Sequence, residues 1–425
     1  MSGVIETDDA PKATLPGVRI LAGAFGSKDL GEPLTRVGFL FVAYILTHVA
    51  VSDAYSFPIF TNLPLLVMNL GAYAFAFVLI VLALVSKAEL RPKAYLVLVA
   101  AAYAVLLNFL PAVVFQPFYR IDSLSYTHYS AVLLLQGRNP YAESMLPSLS
   151  AYHVPADAWS PLETGGLFGT SPYPPLSFLV NVPILAVGMT DVRIVYLLFH
   201  IAGLAVLYLR APPAFRGIAP IGLVMTLELV QYTPWGVPDI LWVVPALLMA
   251  TDLGRPARAG LWYGIACAFK QTPWLLAPFL FLWYWHRHRT DVPRTMLAFG
   301  GVAAGVFLLV NGPFIAWNPS AWAAAMFAPL TSLQAPTGLG LSTLVSYGYV
   351  IAPRDLFVVA EVGLLAVLAV AYHVHFERLE FTFWIFPALV LFVSYRMLQS
   401  YVVYWAPFLM IGLWMWWRTH ALSNP

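Results

Sequence analysis

Residues 63–85 read LPLLVMNLGAYAFAFVLIVLALV, a run without a single charged side chain. Coiled as an α-helix it is about 34 Å long, enough to cross a hydrocarbon core of about 30 Å. Residues 94–115, AYLVLVAAAYAVLLNFLPAVVF, repeat the pattern. Neither run alternates polar with apolar positions, so the pattern indicates a helical bundle rather than an outer-membrane barrel. Working outward along the 425 residues, hydropathy places further spans near 37–51, 173–189, 194–210, 218–231, 238–252, 259–283, 295–311, 356–373, 380–395 and 400–417. The fold class is therefore all-α, a polytopic transmembrane bundle of about 12 spans, some of them short or re-entrant. A composition that is 60% hydrophobic and 10% charged fits neither a soluble domain nor a disordered chain.

Charge excludes other classes and sets the orientation. With 22 Lys and Arg against 20 Asp and Glu there is no basic face for nucleic acid. The single cysteine, Cys267, excludes an internal disulfide. Residues 1–36 are polar and lack the short apolar core of a removable signal, so they read as a cytoplasmic segment ahead of one transmembrane domain at 37–425. Lys12, Arg19, Lys28 and Arg36, then Lys87, Arg91 and Lys93, then HRHR at 286–289 place those segments on the cytoplasmic side. The long loops 116–172 and 312–355 then lie outside. Strict alternation would also put Arg210, Arg216, Arg255 and Arg258 outside, against the positive-inside bias. The conflict is relieved if a helix between 173 and 210 is short or re-entrant and 259–283 is a hairpin broken around Lys270 and Pro273.

Loops of this length are more often functional than connective. The first contains IDSLSYTHYSAVLLL, in which Leu124, His128, Val132 and Leu135 at helical spacing suggest an amphipathic helix along the membrane surface, with Asp122 at its N-cap. Asp122 is read either as that cap, worth about 1 kcal/mol, or as a general base beside the bundle opening. Lys270, deep in GIACAFKQTPWLLAP, snorkels or faces a ligand; the helix-breaking QTP after it favours a ligand. In SYRMLQSYVVYW, Arg396 with Gln399, Tyr401 and Tyr404 is either an interfacial belt or a clamp for phosphate, whose geometry a guanidinium matches.

Taken in order, Asp122 after an early span, LLQGRNPY at 134–141, YPPL at 173–176, G-x-x-D-I-L at 236–241, G-x-x-x-A-x-K-x-x-P at 264–273, NGPF at 311–314 and Y-x-x-Y-W-x-P-F at 401–408 resemble the GT-C integral-membrane glycosyltransferases. The resemblance is to the polyprenol-phosphate-mannose-dependent mannosyltransferases, the glycosyltransferase family 87 group, and covers roughly residues 95–417. It implies a polyprenyl-phosphate-sugar donor, commonly of mannose, a lipid or glycan acceptor, membrane lipids as surroundings and no nucleic acid. It places the enzyme in the plasma (inner) membrane with its active site on the non-cytoplasmic side. The external aspartate that acts as base in such enzymes maps onto Asp122. Members usually carry it after the first span, so this chain has extra N-terminal spans, and Asp53, after the first span here, is the competing carboxylate. IDSLSY lacks the Asp-x-Asp pair of some relatives, which leaves a divalent metal without motif support, and no cofactor is implied.

Inverting transfer from a phosphate leaving group needs one carboxylate to take the acceptor proton and cations to hold the phosphate, not the carboxylate pair of a glycosidase. Arg396 and Lys270 are the leading candidates for the phosphate, followed by Arg120 and Arg138. Tyr126, His128, Arg138, Tyr173, Asp239, Gln399 and Tyr404 are candidate substrate contacts. The other reading is a multi-span transporter or flippase, which proline-broken helices and a buried lysine equally suit. Against it, residues 1–210 and 211–425 show no internal repeat.

Overall fold

A computed structural model describes residues 30–421 of the chain. Most of the N-terminal segment assigned to 1–36, with Lys12, Arg19 and Lys28, lies outside the described residues; the first described helix begins at Gly31. The molecule is mostly helical. Among the described residues six helices are long and apolar enough to cross a membrane: Gly31–Ser56, Leu63–Val85, Arg91–Phe115, Arg193–Arg210, Val292–Trp317 and Arg354–Val374. Leu227–Trp235 and Asp239–Thr251 make a seventh if the pair, bent by 117°, is one broken span. The other expected spans fall into shorter pieces. The 173–189 stretch forms the short helices Leu176–Leu179 and Val182–Ala186, and 380–395 forms a short turn and Phe386–Phe392.

The first three long helices pack together through polar side chains placed in their apolar faces. Asn69 donates to the Ala50 carbonyl at 2.8 Å, Tyr103 to the Met68 carbonyl at 2.6 Å, and Asn108 to Asp53 at 2.7 Å. Between membrane helices such bonds contribute about 0.6–2 kcal/mol each, where burial of apolar surface no longer discriminates.

Two ends of the bundle can be traced residue by residue. At one end, Arg36 donates to the carbonyls of Ala83 and Ser86, and Thr35 lies against Gly217. Phe215 packs on Trp417, with ring centres 5.4 Å apart. Asp252 pairs with Arg210 and Arg258, the Tyr284 hydroxyl donates to the Leu253 carbonyl, and Arg287 pairs with Glu380. At the opposite end Arg193 reaches the Gln116 carbonyl at 3.0 Å, and the Val192 N–H reaches the Tyr119 hydroxyl. Arg193–Arg210 therefore runs the full depth, about 27 Å at helical rise. The short helices of 176–186 enter and leave at the Arg193 end, and Pro256–Phe269 with Ala277–Arg287 forms a hairpin whose tip is Lys270. These two features put Arg210 and Arg258 at the same end as Arg36 and Arg287, removing the conflict posed by strict alternation.

The Asp122–Leu135 helix does not lie along a surface. Nine of its fourteen residues are buried on several faces, because the chain from Asn139 to Tyr173 folds over it. Two of its hydroxyls find partners in that cover, Ser125 with Ser148 at 3.0 Å and Ser130 with Ser171 at 3.2 Å, and Thr127 meets Tyr196 of the Arg193–Arg210 helix at 3.2 Å. The second long loop begins later than expected, since helix continues through residues 312–317 and a further helix spans Pro319–Thr331. NGPF is thus helical, and Phe314 packs against Tyr141 and Phe178.

Candidate active site

At the Arg193 end, two helix breaks and three loop segments enclose a cavity of about 590 Å³. The first break lies between Trp235 and Asp239. Gly236 adopts a left-handed conformation, φ 72°, which ends one helix and lets the next turn away. Asp239 then sits in the first turn of Asp239–Thr251, where a carboxylate is favoured by the unpaired N–H groups. The second break is at Lys270, which is extended (φ −157°, ψ 157°) where Pro256–Phe269 ends. The breaks meet: the Lys270 ammonium lies 2.6 Å from an Asp239 carboxylate oxygen, and Trp242 donates to the other oxygen at 2.9 Å. Both residues are buried. Tyr401 lies beneath the same ammonium, its ring centre 4.6 Å away, with Tyr173 at 5.8 Å.

The outer wall joins the two long loops to the chain before the last helix. The Glu163 N–H donates to the Leu333 carbonyl at 2.8 Å, and that of Ala335 to Pro161 at 2.9 Å. A short parallel pair of strands, Thr337–Gly338 and Arg396–Met397, aligns Thr337 with Arg396. Gly338 has φ 118°, and a side chain there would overlap the Met397 carbonyl, so only glycine permits the pairing. The pairing fixes Arg396 beside the cavity.

Asp122 faces this wall. It is the first residue of its helix rather than the cap; Ile121 holds the cap position, and no side chain caps there. The carboxylate instead accepts a hydrogen bond from Ser160 at 2.6 Å, and Arg396 donates to the same Ser160 oxygen at 2.8 Å. Burial pushes the Asp122 carboxyl above the usual carboxylate range, while the Ser160 bond and the Arg396 charge pull it back. The second terminal nitrogen of Arg396 is buried without a partner, and among the described residues no carboxylate forms an ion pair with this guanidinium.

Asp122, Tyr173, Asp239, Lys270, Arg396 and Gln399 all line the cavity. The other residues singled out from sequence stand elsewhere. Arg120 is exposed, over the Trp235 ring at 5.9 Å, and does not line the cavity. Arg138 is paired with Glu143 at 2.7 Å on the surface. Tyr126 is buried and donates to the Phe168 carbonyl, bracing the wall. His128 stacks on Tyr152 and bonds the Tyr119 hydroxyl at 2.8 Å; burial pushes its imidazole down to about 4, so it is neutral near pH 7 and offers no cation to a phosphate. Tyr404 is buried behind Tyr232, which it stacks upon and which donates to Gln399 at 3.0 Å. Asp53 is buried among the first three long helices, held by Asn108, and does not reach the cavity.

Sequence reasoning missed Ser160 and the aromatic lining of Trp159, Tyr232 and Trp235. Ser160 sits in WSPLE, an irregular loop stretch with no motif, and only the folding of the loop brings it to Asp122. Among the described residues no group of three or more His, Cys, Asp or Glu side chains is placed to hold a metal ion. The cavity offers an anion the unpartnered nitrogen of Arg396, a proton acceptor at Asp122, and aromatic walls against which a ring can stack. No protein-family model, curated protein or solved structure matches this chain.

Proposed function

We propose that this protein is a GT-C-type membrane glycosyltransferase, moving a sugar such as mannose from a polyprenyl-phosphate donor to a lipid or glycan acceptor. The observation that carries this reading is the meeting of Asp122, Arg396 and Lys270, from three distant parts of the chain, on one cavity. An acceptor oxygen attacks the anomeric carbon and gives its proton to Asp122. The bond from that carbon to the phosphate oxygen breaks, and the electron pair leaves with the polyprenyl phosphate. Arg396 stabilises the charge growing on the leaving oxygen; its unpartnered nitrogen is a donor in reserve for it. Lys270 is already paired with Asp239, so of the two Arg396 is the cation left without a carboxylate partner to meet the phosphate. Trp159, Trp235 and Tyr401 offer faces on which a pyranose ring can stack.

In this reading about twelve apolar segments cross or enter the plasma (inner) membrane. The end carrying Arg36, Arg210, Arg258 and Arg287 faces the cytoplasm and the cavity faces outward. The lipid tail of the donor stays in hydrocarbon while its headgroup enters. The test is transfer by purified protein in liposomes. A polyprenyl-phosphate-linked hexose should label the acceptor fraction, and a nucleotide-linked hexose should not. The buried Asp239–Lys270 pair at two helix breaks favours a second reading, a carrier; labelled lipid crossing the bilayer with no new glycosidic bond would select it.

A further inference from the structure

We propose that Ser160 is a positioning residue that holds the Asp122 carboxylate and the Arg396 guanidinium apart, leaving each free for a substrate group. This rests on the glycosyltransferase reading above. The direction of the bonds is dictated by chemistry. A guanidinium has only donors, so Arg396 must give a hydrogen to Ser160. The single hydrogen of the serine hydroxyl must then go to Asp122, and the bond to its Oδ2 measures 2.6 Å. The hydroxyl is therefore locked in one orientation, and only one of the two carboxylate oxygens is occupied by it.

The serine is fixed from both sides, so it cannot drift with either partner. Phe168 donates its N–H to the Ser160 carbonyl at 2.8 Å, and Ala335 to the adjoining Pro161 carbonyl at 2.9 Å. Ser160 is itself buried, 5% exposed. This hydroxyl bridges the two opposite charges, bonded to both. Arginine and carboxylate left in contact form a strong forked pair. Such a pair would remove the proton acceptor and the phosphate donor together. A hydroxyl between them prevents it while keeping both groups in place.

The experiment compares Ser160→Ala and Ser160→Thr with the wild type. In Ser160→Ala, Arg396 should close onto Asp122. Turnover should fall, and the acid limb of kcat/KM should move to lower pH by about one unit, as an adjacent cation favours the ionised carboxylate. Loss of a plain hydrogen bond would shift the limb the other way, because the Ser160 bond itself favours the ionised form. Ser160→Thr retains the hydroxyl and should restore the wild-type limb. A structure of Ser160→Ala should show an Arg396–Asp122 ion pair, a result independent of any sugar transfer. An unshifted or upward-shifted limb, or a Ser160→Ala structure with the two groups still apart, overturns the proposal. A wild-type protein that transfers no sugar would defeat the enzymatic reading alone, and the structure of the variant would still decide the role of Ser160.

Discussion

The Lys270 ammonium meets the Asp239 carboxylate at 2.6 Å, so the cation at the tip of one helical hairpin is neutralised by the first residue of the neighbouring helix. Each charge is buried, and each makes the other tolerable. Removing either partner leaves an uncompensated charge, which costs about 3–5 kcal/mol. Asp239→Leu and Lys270→Met should each lower the thermal midpoint in detergent sharply. The double variant should recover most of the loss, and a double variant as unstable as the sum of the singles would show that the pair is not coupled.

Asp122 is a carboxylate held at a cost of burial. Burial lifts its carboxyl above the ordinary value. Between the ordinary and lifted values the native state binds more protons than the unfolded chain, so native stability falls as pH rises through that window. Asparagine keeps the oxygen that Ser160 needs and has no charge to bury. Asp122→Asn should therefore be more stable than wild type near pH 7, and the difference should shrink toward about pH 4. Thermal unfolding across that range measures it; an Asp122→Asn protein less stable at neutral pH would mean that the carboxylate is held favourably.

Arg396 depends on backbone that it does not itself supply. At φ 118°, alanine in place of Gly338 is strained and meets the Met397 carbonyl; strain of this kind costs about 1–3 kcal/mol. Gly338→Ala should lose activity and thermal stability together, whereas Gly305→Ala, within the Val302–Trp317 helix and with open space around it, should keep activity and lose no stability. Equal behaviour of the two variants would separate Arg396 from the strand pair.

Long spans were legible because length and apolarity suffice to mark them: Leu63–Val85 begins and ends where the sequence places it. The paths of 173–189 and 259–283 were legible only as a conflict of charge, since hydropathy registers a re-entrant helix and a crossing one alike. Lys270 could be named because a charge is expensive inside an apolar stretch, and Asp122, Arg396, Asp239, Tyr173 and Gln399 because each is a polar side chain at a loop, span end or helix junction. His128 and Tyr126 carry the same signal and proved to be braces inside the loop. Nothing in the sequence distinguishes a hydroxyl or imidazole that satisfies its own fold from one that faces a cavity. Ser160 was out of reach for the opposite reason, as a common residue in a loop whose importance arises only from a partner at Asp122 and another at Arg396.

Orientation is open to labelling. Ser150 and Thr290 are both exposed, at the cavity end and the basic end respectively. In a background with Cys267 replaced, Ser150→Cys should react with an impermeant thiol reagent added to intact cells, and Thr290→Cys should react only after permeabilisation. The reverse pattern would place the cavity on the cytoplasmic side.

The base assignment is the centre of the account, and single-turnover sugar transfer by Asp122→Asn in liposomes tests it most directly. With donor bound and acceptor in excess, the variant should fold, bind the polyprenyl-phosphate sugar and transfer it about two to four orders of magnitude more slowly than wild type. Transfer at the wild-type rate would contradict the account, because a cavity that works without the Asp122 carboxylate does not use it as the base.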